Sequence, residues 1–265
     1  MQSLHTPISN WRVLPLTIAD QQSHIEWSEQ LLAAMSPGDP PTLYWSQAES
    51  LGLVLGYSQK PDVLNPLVNN ASGPFQHMPI YHRRAGGTAV LVGPELLSLD
   101  VLLPGDSPLV QPDIVESYRW LGEAWVKALR SLGIETRTVP PQEAHELRRL
   151  LKQEETHERE TVLRRACYGS LSPYEVVVGQ RKVVGLDMIR RRKASLLQAG
   201  VLLHWETGTL AQLLGHTPGE QAILREGLLE RAIGIDTLAG RVIEPQEVIR
   251  AFEEVISSPC KLDTA

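Results

Sequence analysis

The stretch Arg83-Arg84-Ala85-Gly86-Gly87-Thr88-Ala89-Val90 joins two arginines, two adjacent glycines and the start of an apolar strand. Glycine lets the backbone approach a ligand closely, and the N–H groups of successive glycines can hold an anion or a carbonyl oxygen. The neighbouring arginines supply fixed positive charge for a phosphate. A hairpin turn with exposed arginines fits the same pattern. The stretch matches neither a P-loop nor a dinucleotide-binding fingerprint.

The elements predicted on both sides of this stretch give an α+β pattern. Short apolar segments bounded by turn residues predict strands, and apolar residues at steps of three or four predict helices. The predicted strands cover residues 11–18, 42–45, 51–55, 77–81, 89–92, 96–103, 134–139, 174–178, 182–185 and 196–203. The predicted helices cover residues 19–35, 113–132, 218–233 and 245–257, and residues 142–165 are predicted either as helix or as a solvated insertion.

The order of these elements indicates an α+β fold, not a doubly wound parallel sheet. Strands dominate residues 40–205, with one long helix between them and helices at both ends. We therefore expect a catalytic domain over residues 1–210 and a small C-terminal helical subdomain or appendage over residues 211–265.

The composition is typical of a soluble globular protein in a reducing compartment. The 265 residues carry a net charge of −6, and 42% of them are hydrophobic. An acidic balance argues against a dedicated nucleic-acid binder. The two cysteines, Cys167 and Cys260, cannot make a disulfide framework. Because a signal peptide and an apolar run of about 20 residues are both missing, the sequence predicts a cytoplasmic protein without a membrane span.

Two further residues are candidates for chemistry. Cys167 follows Arg164 and Arg165, and nearby cations favour the nucleophilic thiolate; a free cysteine is otherwise a small buried apolar residue. Lys182 opens the second strand of a predicted hairpin, where it is either solvated or a point charge against a carbonyl or phosphate oxygen. No His/Cys cluster has metal-ligand spacing, so no metal is predicted. The basic run 190–193 fits a solvated loop or the docking of an acidic partner protein.

Four segments, in the same order, resemble those of the lipoate–protein ligase and octanoyltransferase family, which shares its catalytic fold with biotin–protein ligases. Residues 83–91 resemble its Arg-x-Ser/Thr-Gly-Gly-x-Ala-Val run, and residues 182–185 resemble its Lys-x-x-Gly. Residues 198–203 resemble its Gln/His-His-Gly-Thr/Ser-Leu-Leu strand, and residues 55–59 are similar to its Gly-aromatic-x-Gln turn. The resemblance covers residues 11–255 and implies the biotin/lipoate protein ligase-like catalytic fold, with mixed β-sheets flanked by helices.

The resemblance also implies the residues of the site. Cys167, which precedes a Tyr174-Glu175 pair, matches the position of the nucleophile in the Cys-dependent octanoyltransferases, and Lys182 matches the essential lysine of the family. The residues implied in substrate binding are Arg83, Arg84, Gly86, Gly87, Thr88, Ala89, Val90, Gly185 and Gly200.

The family has two chemistries, and the resemblance leaves both open. The one nearer to this sequence is transfer of an octanoyl or lipoyl group from acyl carrier protein, through a Cys167 thioester, to the lysine of a lipoyl-domain protein such as the glycine cleavage H protein. This transfer needs no cofactor. One alternative is a lipoate–protein ligase that uses ATP and magnesium and forms an acyl-adenylate. The other is a divergent, non-catalytic paralogue that binds lipoyl-domain partners.

The sequence departs from the family's pattern near the predicted site. The lysine motif continues as Gly185-Leu186-Asp187-Met188, where the family usually has Gly-Ser-Ala. Ala199 replaces the histidine that usually precedes the glycine of the later strand. An acidic Asp187 beside an acyl pocket is unusual for the family. These departures leave the identity of the acyl substrate open.

Overall fold

The strands form two β-sheets in a computed structural model, which describes residues 11–66, 75, 77–149 and 153–257. They are β1 (Arg12–Ala19), β2 (Thr42–Ala48), β3 (Gly52–Leu55), β4 (Ile80–His82), β5 (Val90–Val92), β6 (Leu96–Pro104), β7 (Arg137–Thr138), β8 (Val176–Val178), β9 (Arg181–Arg190) and β10 (Ala194–Leu202). The larger sheet has the order β1-β2-β6-β10-β9-β8-β7, and the smaller has the order β4-β3-β5. Parallel pairs (β1 with β2, β3 with β4) occur beside antiparallel ones, so the mixed sheets that the sequence predicts are confirmed.

Helices flank the larger sheet on both faces. They are α1 (Gln21–Ala34), α2 (Arg119–Ser131), α3 (Pro141–Arg149), α4 (Glu154–Leu163), α5 (Gly208–Leu214), α6 (Pro218–Arg231), α7 (Ile235–Ala239) and α8 (Pro245–Ser257). Side chains cap the first turns of α1 and α6, where Asp20 accepts from the Ser23 N–H and Thr217 accepts from the Glu220 N–H. Among the described residues, no helix is long and apolar enough to cross a membrane.

One face of the larger sheet carries the core under α2 and α8. Trp45 of β2 lies edge-on to Trp125 of α2 and to Phe252 of α8, with ring centroids 6.0 Å and 5.7 Å apart. Aromatic pairs in this geometry stabilise a core beyond the area they bury. The division of the chain into residues 1–210 and 211–265 stays a prediction. Because α8 packs into this core, we propose that the C-terminal part folds onto the catalytic part and not independently.

The opposite face is covered at two places, and the strand between them stays partly exposed. Leu32 of α1 belongs to a buried cluster with Leu196, near one end of β10. Val54 of the smaller sheet belongs to another buried cluster with Leu202, at the other end of the same strand. Between these clusters, Gly200 stays partly exposed although it lies in the middle of the sheet. The partly exposed stretch of β10 therefore includes Gln198 and Gly200.

Several boundaries differ from the sequence prediction for physical reasons. β9 continues to Arg190 because it pairs with β10 along this length. α2 begins at Arg119 rather than at residue 113, since a 3₁₀ turn at Glu116–Tyr118 precedes it. Residues 142–165 contain α3 and α4, so the helical alternative is confirmed for the described part of this segment. The short helices α5 and α7 were not predicted, because neither is long enough to show a period.

Candidate active site

The two glycines of the opening stretch lie in a turn that packs on the turn after β3. Gly87 has a φ of +82°, a conformation that glycine adopts without strain. A Cβ on Gly56 would lie 2.0 Å from the Gly87 carbonyl oxygen, so Gly56 must also be glycine. The Arg83 N–H donates to the Leu55 carbonyl oxygen at 3.1 Å. Two of the four motif segments are therefore neighbours in space.

Cys167 lies directly against the strand segment that leaves this turn. Its N–H donates to the Ala89 carbonyl oxygen (2.8 Å), and the Ala89 N–H donates to the Arg165 carbonyl oxygen (3.1 Å), in a short parallel bridge. The side-chain amide of Gln59 donates to the same Arg165 oxygen at 3.1 Å. Cys167 is only partly buried. The structure thus brings the predicted nucleophile next to the glycine turn.

Lys182 is buried, so the solvated hairpin position that the sequence allowed is wrong. Its side chain is 1% exposed, and its Nζ donates to the Cys167 main-chain oxygen (2.9 Å) and to Glu175 Oε1 (2.8 Å). The Tyr168 ring centroid lies 5.4 Å from Nζ. A buried ammonium is tolerated when a carboxylate and hydrogen bonds replace its water. The Lys182 ammonium therefore lies directly beside the main chain of Cys167.

Glu175 is the buried counter-ion of this lysine. Its side chain is 2% exposed, and its Oε2 accepts the Ser172 N–H at 2.7 Å. Burial raises the pKa of Glu175, and the ammonium of Lys182 opposes that rise. The sequence analysis used Glu175 only to place Cys167 and missed this contact. A local pattern does not reveal that a glutamate just before β8 and a lysine on β9 turn inward together.

A row of small residues crosses the larger sheet from β9 to β2, on the face opposite α2 and α8. Gly185 pairs with Gly200, Gly200 with Ser98, and Ser98 with Ser46 on successive strands. The row spans three strand spacings, or about 14 Å. At its β9 end the Tyr168 hydroxyl donates to the Gly200 carbonyl oxygen at 2.8 Å. Gly200 and Ser98 in the middle of this row are partly exposed, whereas Gly185 is buried next to Tyr168 and Glu175.

A row of polar residues, which we call the polar wall, runs beside the row of small residues. It consists of Tyr44, Asp100, Gln198 and Asp187, again in register across neighbouring strands. Gln198 Nε2 donates to Asp100 Oδ1 at 2.8 Å. Burial raises the pKa values of Asp100 and Asp187. The unusual Asp187 is therefore one member of a polar wall and not a single charge in an apolar pocket.

Both arginines of the opening stretch have acidic partners. Arg83 Nη2 lies 3.7 Å from Asp187 Oδ2 and donates to the Thr88 carbonyl oxygen at 3.2 Å. Arg84 is more exposed, and its Nε lies 2.7 Å from Glu29 Oε1 on α1. Arg83 thus ties the glycine turn to the polar wall, whereas Arg84 ties it to α1.

The main chain of the glycine turn offers hydrogen-bond donors. Within the part of the chain that the structure describes, the N–H groups of Gly86 and Gly87 have no acceptor. The side chains of Ala89 and Val90 are buried, so these two residues can act only through their backbone and their packing. A pair of backbone N–H groups is the arrangement that stabilises an oxyanion in acyl transfer.

The described residues contain no group of three or more His, Cys, Asp or Glu side chains that could hold a metal ion. Cys260 lies outside the described residues. That the protein works without a metal stays a prediction.

Comparison of the fold with solved structures identifies the class of protein. It matches a bi-partite lipoate protein ligase of Thermoplasma acidophilum, described with its E2 lipoyl domain, with a TM-score of 0.71 at 19% identity over 95% of this chain and 83% of that chain. It also matches a lipoate-protein ligase A bound with ATP, with a TM-score of 0.67 at 20% identity over 94% of this chain and 84% of that chain. At this identity the similarity establishes the fold, which is that of the lipoate–protein ligases.

The chain belongs to the lipoyl protein ligase A/B catalytic domain family, whose model matches residues 20–257. It is 30% identical over 252 residues to the octanoyltransferase LipM of Exiguobacterium sibiricum, which covers 92% of this chain and 85% of that protein. It is 26% identical over 262 residues to the octanoyltransferase LipM of Brevibacillus brevis, which covers 97% and 89%. The family resemblance carried by the four motifs is confirmed.

Proposed function

We propose that the chain is an octanoyltransferase of protein lipoylation, which passes an octanoyl group through Cys167 to the lysine of a lipoyl domain. The observation that carries this proposal is the position of Cys167, whose main chain is bonded to Ala89 on one side and to the Lys182 ammonium on the other. The relatives named as octanoyltransferases, similar over nearly the whole chain, support the same reaction.

The reaction has two acyl transfers on one thiol. The Cys167 thiolate attacks the carbonyl carbon of the octanoyl thioester, and the carrier leaves as a thiolate that takes up a proton. The acceptor amine then attacks the new thioester, an amide forms, the amine loses a proton and the Cys167 thiolate is released. The N–H groups of Gly86 and Gly87 hold the oxyanion in both steps. Loss of one such donor costs about 100- to 1,000-fold in rate.

The row of small residues fits the acyl chain. It runs across four strands from Gly185 to Ser46, and its middle remains accessible. Burial of each CH₂ group contributes about 0.8 kcal/mol, so a saturated chain supplies much of its own binding. The polar wall with Gln198 and Asp187 lies along one side of this row. We therefore expect the selectivity for acyl length and polarity to depend on these two residues.

A ligase reaction fits the same residues less well. It requires ATP, whose phosphates are usually held by cations through charge-assisted hydrogen bonds. In this site Arg83, Arg84 and Lys182 each have a carboxylate partner. Transfer through Cys167 requires neither ATP nor magnesium. A second function as a ligase is therefore not proposed.

The partners that we propose are acyl carrier protein as donor and a lipoyl-domain protein, such as the glycine cleavage H protein, as acceptor. Both are acidic domains, and the chain offers a matching surface. The basic run Arg190-Arg191-Arg192-Lys193 lies at the tip between β9 and β10, and all four residues are exposed. Opposite charge on two partners speeds their encounter and orients them. A cytoplasmic location, where both partners are available, stays a prediction.

Mass spectrometry of the intact protein tests the first transfer. After incubation with octanoyl-carrier protein, we expect one octanoyl group on Cys167 of the wild type and none on Cys167→Ser, because serine lacks the thiolate. Cys260→Ser serves as the matched control and should retain the adduct. A wild type without adduct that forms octanoyl-adenylate from ATP would be a ligase. A wild type with neither activity would be a non-catalytic paralogue.

A further inference from the structure

We propose that Glu175 is a positioning residue, which holds the Lys182 ammonium against the main chain of Cys167 and thereby fixes the thiol for acyl transfer. This inference rests on the proposed function, since it gives a role to a residue beside the same nucleophile. It also assigns Lys182 a different task from that of a free point charge aimed at the substrate. Glu175 acts on the thiol through Lys182.

The contacts of Lys182 leave its ammonium little freedom. Two of its three protons are committed, one to the Cys167 main-chain oxygen at 2.9 Å and one to Glu175 Oε1 at 2.8 Å. Both side chains are at most 2% exposed. The backbone of Lys182 is fixed as well, because its carbonyl oxygen accepts the Ile233 N–H at 3.0 Å. An ammonium held in this way connects β9 to the residue that carries the thiol.

Glu175 also fixes the loop that follows Cys167. Its second carboxylate oxygen accepts the Ser172 N–H at 2.7 Å, so the side chain that holds Lys182 also holds this loop. The residue before it, Tyr174, has a φ of +63°, which is strained for a residue with a side chain. The Tyr174 hydroxyl donates to Glu116 Oε1 at 2.7 Å and keeps the residue in this conformation. The strained corner turns the carboxylate inward toward the lysine.

The direction in which one substitution changes the reaction rates of Cys167 separates positioning from a pure charge effect. Glu175→Gln removes the negative charge that neutralises Lys182 but keeps the shape of the side chain. If Lys182 acted through its charge alone, the uncompensated ammonium would favour the Cys167 thiolate and speed every reaction of the thiol. If the pair acts by positioning, the geometry of attack suffers while the thiol keeps its reactivity. Misplacement by about 1 Å can cost about 100-fold in rate.

The experiment compares two reactions of Cys167 in a Cys260→Ser background. Iodoacetamide alkylates the thiol without an oxyanion and reports its ionisation and access. Octanoyl-carrier protein acylates it through an oxyanion and reports its placement. For Glu175→Gln we expect acylation to fall about 100-fold, with alkylation within about threefold of the wild type. Lys182→Met should lower acylation similarly, and the double variant should be no worse than Lys182→Met, because Glu175 acts through the lysine.

Each other outcome contradicts the proposal in a recognisable way. Faster acylation and alkylation in Glu175→Gln would show a charge effect. Equal losses of acylation and alkylation in Glu175→Gln would show that this variant does not fold. The double variant buries no unpaired charge, and the proposal then requires it to lose acylation but keep alkylation. Glu247→Gln, which removes an exposed partner of Arg241 on α8, is the matched control and should change neither rate. A wild type that takes up no octanoyl group would overturn the proposed function itself.

Discussion

At the scale of single residues, the site is built around Lys182, which the hairpin pattern of the sequence predicts to be exposed to solvent. The tip residues Gly179 and Arg181 suggest an exposed strand, but a later segment of the chain covers it: Ala232 forms a bridge with Lys182. A bulge between Val176 and Val177 shifts the register of β8 against β9 at this point. A local pattern around Lys182 does not reveal that Ala232, some 50 residues later in the sequence, packs over it. This is why the burial of Lys182 could not be predicted.

Gly56 shows how one small residue fixes the glycine turn. A Cβ at this position would lie 2.0 Å from the Gly87 carbonyl oxygen, and backbone atoms cannot yield cheaply. We predict that Gly56→Ala lowers the free energy of unfolding by about 1–3 kcal/mol. The displaced turn should also lower octanoyl transfer by about 100-fold. Chemical denaturation and the transfer assay measure the two effects.

Gly219→Ala on α6 is the matched control for this substitution. Its Cβ would meet nothing closer than 3.8 Å, and alanine is the better helix former. We expect it to leave octanoyl transfer unchanged and the stability equal or higher. Wild-type activity in Gly56→Ala would show that the glycine turn has room to move.

At the scale of the elements, α6 braces the segment that carries the nucleophile. Arg165 forms two hydrogen bonds to Glu220, at 2.6 Å and 2.7 Å, and its carbonyl oxygen accepts the Ala89 N–H. These bonds lower the pKa of Glu220 from 4.5 to about 2. A carboxylate with a lowered pKa stabilises the fold above its unfolded pKa and loses that effect as the pH falls through its folded pKa. The brace is therefore intact at neutral pH.

We predict that Glu220→Gln lowers the free energy of unfolding at pH 7 by about 2 kcal/mol. This is less than the whole pKa shift implies, because the two side chains are 17% and 20% exposed. The wild type should lose this part of its stability between pH 4.5 and about pH 2, and the variant should not. Denaturation at several pH values measures both. Glu247→Gln removes an exposed Arg–Glu pair and is the control, for which we expect a much smaller change; equal losses would contradict a role for burial.

Other elements differ in how much their sequence revealed. β6 and β10 show their apolar runs plainly, and both were predicted within two residues of their observed ends. α4 buries Val162 and Leu163 only in its last turn, so its apolar face is too short to distinguish helix from insertion. The start of α2 was predicted too early, because the Val115 N–H donates to Asp113 Oδ1 and begins a separate turn there.

At the scale of the whole molecule, the protein is acidic but carries one strongly basic patch of surface. The chain carries a net charge of −6, yet four successive cations lie exposed at the tip between β9 and β10. We predict that Arg191→Glu raises the KM for an acidic octanoyl-carrier protein by about tenfold at low salt with kcat unchanged, because steering affects encounter and not chemistry. Steady-state kinetics at low and high salt measures this, and the effect should shrink as salt rises.

Two controls test whether the change in KM arises from docking at this tip. Arg250→Glu makes the same change on the exposed side of α8 and should leave the KM unchanged. An octanoyl thioester of a small neutral thiol should react equally with wild type and Arg191→Glu. A change in kcat, or an equal effect of Arg250→Glu, would contradict docking at the tip.

The sequence by itself determined the α+β architecture and the four motif segments, and the family resemblance of those segments made Cys167 the candidate nucleophile. Each depends on short-range information: the period of apolar residues, turn residues, and residue types at fixed spacing. Only the tertiary structure decided that Glu175 and Lys182 form a buried pair, that Asp187 belongs to a polar wall, and that a row of small residues runs in register from Gly185 to Ser46. These features come from register across strands and from segments far apart in the chain, and sequence spacing does not encode such pairings.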